Sequence, residues 1–139
     1  MQEVELLKEK GLKVTPQRVA IIELLEQYGH LSIQELYELI KKRFSTISLA
    51  TIYKNLNSML NNDLINEIKL KGQDNKYEIA KNLHSHLVCK ECGKIEDIFL
   101  QTDKILKEFQ QNEKFLAQEI NVNIYGICQK CLNNIEKET

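Results

Sequence analysis

Ser48-Leu-Ala-Thr-Ile-Tyr-Lys-Asn-Leu-Asn-Ser-Met-Leu60 is the stretch whose reading decides the fold. Behind the N-cap Ser48, residues Leu49, Ile52, Leu56, Met59 and Leu60 recur at helical spacing and lay one apolar stripe along a helix. The other side carries Thr51, Lys54, Asn55 and Ser58, which no core requires, so it is available to a partner. Working back toward the N-terminus, two more helices announce themselves. Ser32 and Glu35 form a capping box ahead of Leu36, Leu39 and Ile40, with Phe44 closing the stripe. Before that, Thr15 caps a helix with Pro16 in its first turn; Val19, Ile22 and Leu25, flanked by Ile21 and Leu24, form its stripe, which ends before Gly29. Toward the C-terminus, 64–71 and 76–79 read as strands around the turn 72–75, a hairpin bearing Lys69, Lys71 and Lys76.

Three helices followed by a basic hairpin is the winged helix-turn-helix order, here filling residues 1–80. In that arrangement the third helix enters the major groove of double-stranded operator DNA while basic groups hold phosphates. Tyr53 and Lys54 are the foremost expected groove contacts, with Thr51, Asn57 and Ser58 as neighbours and Arg18 among the basic groups. The formal net charge of −1 speaks against a general polyanion binder. Between Leu39 and Asn62, however, Lys41, Lys42, Arg43 and Lys54 occur with no acidic residue, a local strip that suits a specific contact or simply a solvated face. Two further alternatives stay open: Tyr53 lies at the edge of the apolar stripe and can pack on the core, and three-helix modules also bind proteins.

The character of the chain changes near Ala80. All four cysteines fall into two pairs, Cys89-Lys-Glu-Cys92 and Cys128-Gln-Lys-Cys131, a spacing at which two thiolates grip one tetrahedral ion. One closed four-cysteine structural zinc site is the expectation. The rival is a pair of thioredoxin-like redox motifs, which needs each C-x-x-C to open a helix in a βαβ pattern, a context not evident here. Gly93 after Cys92 supplies the backbone freedom of a metal knuckle. Short strands at 87–88 and 95–100, a helix at 102–114 and alternation over 118–125 complete a small α/β lobe, residues 81–139.

The 139 residues contain only three histidines, His30, His84 and His86. On an extended strand His84 and His86 share a face and reach one metal together. Glu78, Glu96 and Asp97 lie near in sequence, and alternation allows only one of the last two on the metal side. Alone, an H-x-H is a weak signal. No apolar run spans a membrane and the N-terminus lacks the order of a signal peptide, so a cytoplasmic, membrane-free protein is expected, in a reducing compartment that favours metal thiolates over disulfides.

Taken together, Gly11-Leu-Lys-Val-Thr-Pro-Gln-Arg18, Gly29-His-Leu31, Ser48 to Leu56, His84-Ser-His-Leu-Val-Cys-Lys-Glu-Cys-Gly93 and Ile124-Tyr-Gly-Ile-Cys-Gln-Lys-Cys131 resemble the ferric uptake regulator family of bacterial metal-dependent repressors. The resemblance implies an α+β homodimer: an N-terminal winged helix-turn-helix domain followed by a small α/β dimerisation domain with structural zinc on Cys89, Cys92, Cys128 and Cys131. It also implies a regulatory site for iron(II) or manganese(II) on His30, Glu78, His84, His86 and Asp97. Asp97 resembles the peroxide-responsive branch, where iron-responsive members tend to carry glutamate, whereas Glu78 departs in the opposite direction. A further site common in the iron and zinc branches lacks its residues, since Leu83 precedes His84 and no histidine follows His86. The expectation is a peroxide-responsive repressor, the alternative an iron-responsive regulator of iron uptake genes. An enzyme is not expected, because ligands spread over a domain junction enclose no substrate and no nucleophile or phosphate loop stands out. A metal store would not need the polar helix face and basic hairpin.

Overall fold

The computed structural model describes residues 2–81, 84–110 and 114–138. It divides into two compact units, Met1–Ala80 and Lys81–Thr139. The first contains α1 (Gln2–Glu9), α2 (Pro16–Tyr28), β1 (Leu31–Ser32), α3 (Ile33–Ile40), α4 (Leu49–Asn61), β2 (Ile65–Ile68) and β3 (Lys76–Ile79). The second contains β4 (Ser85–Cys89), β5 (Ile95–Ile98), α5 (Thr102–Gln110), β6 (Asn123–Gly126) and α6 (Gln129–Glu138).

The three helix starts foreseen from the sequence carry their caps. Thr15 accepts from the Arg18 N–H, Ser48 from the Thr51 N–H, and the Ser32–Glu35 box is closed in both directions. Each cap satisfies an N–H that has no partner inside its helix, worth about 1 kcal/mol. Gly29 ends α2 at φ 81°, a conformation that any side chain would strain, and its N–H returns to the Leu25 carbonyl. The apolar stripes then meet: Ile21, Ile22, Leu25, Leu36, Ile40, Ile52, Leu56 and Met59 are fully buried in one cluster with Leu64 and Ile65. α3 stops at Ile40, earlier than the stripe suggested, but Phe44 still packs against this core from the loop beyond.

The wing is a three-stranded antiparallel sheet in the order β1-β3-β2. β2 is shorter than the expected 64–71 because Leu70 turns its N–H to the Asn75 side chain, and Gly72 takes the turn at φ 80°. Two elements of this unit are not expected from the sequence. β1 is only two residues long, too short to carry a period, and α1 rests on Leu7, its one fully buried residue, with Leu6 partly buried against the same core.

The second unit is built differently. Its sheet runs β5-β4-β6, with β4 antiparallel to β5 and parallel to β6. The alternation over 118–125 condenses to a strand only at Asn123–Gly126, and β5 ends at Ile98. α5 covers Thr102–Gln110; residues 111–113 of the expected helix, like Leu83, lie outside the described residues. α6 is an addition to the expected elements, because the C-x-x-C spacing of Cys128–Cys131 announces a metal site and not the helix that starts there. Val88 and Cys89 are this unit's buried apolar residues among those described, whereas Phe99, Phe109, Phe115 and Leu116 are each more than half exposed. Among the described residues no helix is long and apolar enough to cross a membrane.

Because Leu56 is enclosed on every side, Leu56→Ala is expected to lower the stability of the first unit by about 3 kcal/mol in urea unfolding, against about 1 kcal/mol for Ser48→Ala. Equal effects would show that the cap, not the stripe, holds α4.

Candidate metal centres and nucleic-acid interface

Four sulfurs converge where β4 and β6 end. The parallel register sets Cys89 beside Gly126, and the Lys90 N–H donates to the Gly126 carbonyl, so the turn after β4 lies against the segment leading into α6. Gly93, at φ 78°, lets the first turn close, its N–H on the Cys89 carbonyl. Cys89 Sγ stands 3.8 Å from Cys131 Sγ, and Cys92 Sγ 3.8 Å from Cys128 Sγ. A tetrahedron with zinc–sulfur bonds of about 2.3 Å has edges of about 3.8 Å, which these two pairs match, and with all four sulfurs within 4.8 Å of one another the donor set fits one such ion.

Cys128-Gln-Lys-Cys131 leads into a helix, α6, but among the described residues no strand follows it, so the βαβ context that the redox alternative needs is not met. The sulfurs close across the two pairs, all four within 4.8 Å of one another, and all four cysteines are free thiols. Hydrogen bonds from the Cys92 backbone and then the Cys128 backbone hold the Cys89 thiol down to about 6. Cys131, bonded to Cys128 and then disfavoured by burial, is pushed up to about 12. A set in which one thiol ionises easily and another resists needs a cation before all four become thiolates.

Imidazole and carboxylate groups meet in each unit separately. In the first, β1 pairs with β3 so that Leu31 faces Tyr77, and one step back along this antiparallel ladder His30 stands opposite Glu78. His30 Nε2 lies 3.1 Å from Glu78 Oε2, whose side chain is only 3% exposed. A carboxylate at that depth requires a partner for its charge. In the second unit His86 pairs directly with Asp97 across β4 and β5. Both His84 Nε2 and His86 Nε2 face Asp97 Oδ1, at 3.7 and 3.6 Å, and the two rings stand edge to face. Lys81 engages the other oxygen, Oδ2. Glu96 falls on the opposite face of β5 and pairs with Lys94 at 2.8 Å.

The exposed side of α4 presents Tyr53, 45% exposed, together with Lys54 and Asn57. Two of its hydroxyls are already committed to the helix: Thr51 Oγ1 bonds Ser48 Oγ at 2.9 Å and Ser58 donates to the Lys54 carbonyl. Arg18 does not stand as an unattached surface cation. Its Nε donates to Asn55 Oδ1 at 3.1 Å and its Nη1 to the Lys13 carbonyl at 2.9 Å, tying α2, α4 and the loop before α2 together. Asn55 was read only as part of the polar side of α4. Its distance from Arg18 in sequence concealed the pair.

Fold and sites define the class, a winged-helix protein with a thiolate metal staple. The pattern of the Ferric uptake regulator family matches residues 9–125, and the chain belongs to that family. It is 31% identical over 130 residues to the peroxide operon regulator of Bacillus subtilis, covering 92% of this chain and 90% of that protein. To the peroxide-responsive repressor PerR of Staphylococcus epidermidis it is 31% identical over 127 residues, 90% of this chain and 85% of that one. The crystal structure of the Campylobacter jejuni peroxide stress regulator matches with a TM-score of 0.72 at 37% identity, over 94% of this chain and all of that one.

Cys128→Ser is expected to remove one tightly held zinc per chain and melt the second unit while leaving the first folded, read by metal analysis and two-phase thermal unfolding. Binding displaces thiol protons, so zinc affinity should fall as pH falls, with proton uptake on release. A fully folded Cys128→Ser protein that never contained zinc would overturn the staple.

Proposed function

We propose that the chain is a metal-dependent, DNA-binding transcriptional repressor that responds to peroxide. It carries zinc as a structural ion and takes iron(II) or manganese(II) as the regulatory ion. The observation that carries this reading is a pair of half-sites, His30 with Glu78 in one unit and His84, His86 and Asp97 in the other, in a chain whose family is known. As ligands to one ion they supply three imidazoles and two carboxylates, a set suited to divalent iron or manganese, with supply deciding against metals of higher intrinsic affinity. Ligands drawn from both units make that ion a clamp on the angle between them. In a homodimer this angle sets the spacing of two α4 helices, hence whether both reach their half-sites on operator DNA.

The apolar residues left exposed on the second unit support assembly with a second copy through residues 81–139, since so small a core leaves Phe99, Phe109, Phe115 and Leu116 uncovered. Residues 1–80 serve the DNA. Tyr53, Lys54 and Asn57 read the groove or its edge, Thr51 and Ser58 shape the helix that carries them, and Arg18 holds that helix against α2.

Ferrous iron, when bound, would activate peroxide, which is reduced to water as the histidine it oxidises gives up two electrons and gains one oxygen. His30 and His84 stand beside that chemistry as the groups that record it, each able to gain one oxygen and thereby lose its lone pair for the metal. Iron-loaded protein exposed to low peroxide is expected to show +16 Da on His30 or His84 by mass spectrometry, with loss of iron and release of operator DNA; the manganese form should keep both. Unmodified histidines with unchanged DNA binding would transfer the assignment to an iron-responsive regulator.

At the DNA, Lys54→Ala is expected to weaken binding and to reduce the slope of log affinity against log salt by about 1, as a lost phosphate contact does. Arg18→Lys should weaken binding with the slope unchanged, because lysine keeps the charge and loses the fork that holds Asn55 and Lys13 together. Tyr53→Ala should lose specific binding by about 1–3 kcal/mol with dimerisation intact. A salt slope that moves with Arg18 and not with Lys54 would exchange their roles.

A further inference from the structure

His86 is the centre of a row that crosses the second sheet. Asp97 on β5 is its antiparallel partner and Asn123 on β6 its parallel partner, so three side chains of one face stand side by side. The two nitrogens of the buried imidazole are divided between these neighbours: Nε2 lies 3.6 Å from Asp97 Oδ1, and Nδ1 lies 3.2 Å from Asn123 Oδ1. A neutral imidazole carries its proton on one nitrogen and a lone pair on the other, and only the latter can ligate. An amide oxygen accepts and cannot donate. Asp97 Oδ1 also only accepts, but at 3.6 Å it is too far to hold a proton on Nε2, whereas Asn123 Oδ1 at 3.2 Å is within hydrogen-bond distance and selects the tautomer with the proton on Nδ1, which leaves the Nε2 lone pair directed to the Asp97 side.

We propose that Asn123 is a positioning residue for the regulatory metal, fixing the tautomer and ring plane of His86 so that Nε2 is permanently offered as a ligand. The inference rests on His86 being a ligand, as in the proposed function. β6 gives this role its stiffness. Three residues beyond Asn123 the Gly126 carbonyl accepts from Lys90, and the Cys128 N–H donates to Cys89 Sγ at 3.3 Å, so the thiolate staple holds the register on which the Asn123–His86 pair depends. An amide on an adjacent strand is a tighter guide than water, because the sheet ladder fixes the position of its backbone and burial of His86 limits solvent competition.

The test uses the full, zinc-loaded chain labelled with nitrogen-15 at its three histidines. Long-range proton–nitrogen spectra, taken before any regulatory metal is added, are expected to show His86 protonated at Nδ1. Asn123→Leu, close in volume but without an acceptor, should convert His86 to a mixture of tautomers and weaken manganese(II) binding, measured by the electron paramagnetic resonance of the free ion, by about 10- to 100-fold. Asn123→Asp keeps the acceptor oxygen and should restore both the tautomer and the affinity. His86 protonated at Nε2 in the unaltered protein overturns the proposal even if no variant folds. So does an Asn123→Leu protein with unchanged tautomer and manganese affinity. Unaltered protein that binds no manganese fails the ligand reading itself, an outcome distinct from binding that Asn123→Leu leaves intact.

Discussion

The parallel pairing of β4 with β6 is the constraint on which the second half of this protein depends. Two strands that run the same way cannot be joined by a tight turn, and here the connection between them passes through β5 and α5 before it returns. Such a long closure is entropically unfavourable, and the unit has little buried apolar surface of its own to offset it. Four sulfurs at the ends of the two strands supply the missing closure. One ion at their centre would fix the register from Cys89–Gly126 back to His86–Asn123, which would join the staple and the histidine face in one mechanical element.

The first unit meets its costs by the opposite route. Its apolar stripes from α2, α3 and α4 close over one another with Leu64 and Ile65, and no ion is required for that core. Into it the wing sheet inserts a charged anomaly, Glu78, almost wholly buried and held by His30. A pair of this kind contributes little to stability compared with an apolar substitute. Its place in so regular a core fits the ligand role proposed for Glu78.

The same economy governs the surface proposed to meet DNA. α4 presents Tyr53, Lys54 and Asn57 outward only because Ile52, Leu56 and Met59 are sunk beneath them. The helix is then aligned by a single guanidinium, which spans from Asn55 to the Lys13 carbonyl. A rigid fork can bridge two acceptors on different segments, where an ammonium offers one point of attachment. The polar face is thus set by elements outside the helix that bears it.

What the sequence by itself determined is what short-range physics writes into neighbouring residues. The caps at Thr15, Ser32 and Ser48, the helical stripes, the hairpin and the two C-x-x-C pairs each involve residues a few positions apart, and the structure keeps all of them, with β2 shortened to Ile65–Ile68 and α3 ending at Ile40 before Phe44. Alternation also told that one of Glu96 and Asp97 must share a face with the histidines, though not which. The tertiary structure decided the rest. That β6 lies parallel beside β4, that α6 begins within the second cysteine pair, that α1 rests on Leu7, that Arg18 grips Asn55, and that Asn123 meets Nδ1 of His86 all depend on register between segments far apart in the chain. Local periodicity fixes which face of a strand is buried, and so limits its register, but it does not say which distant segment lies beside it or in which direction that segment runs.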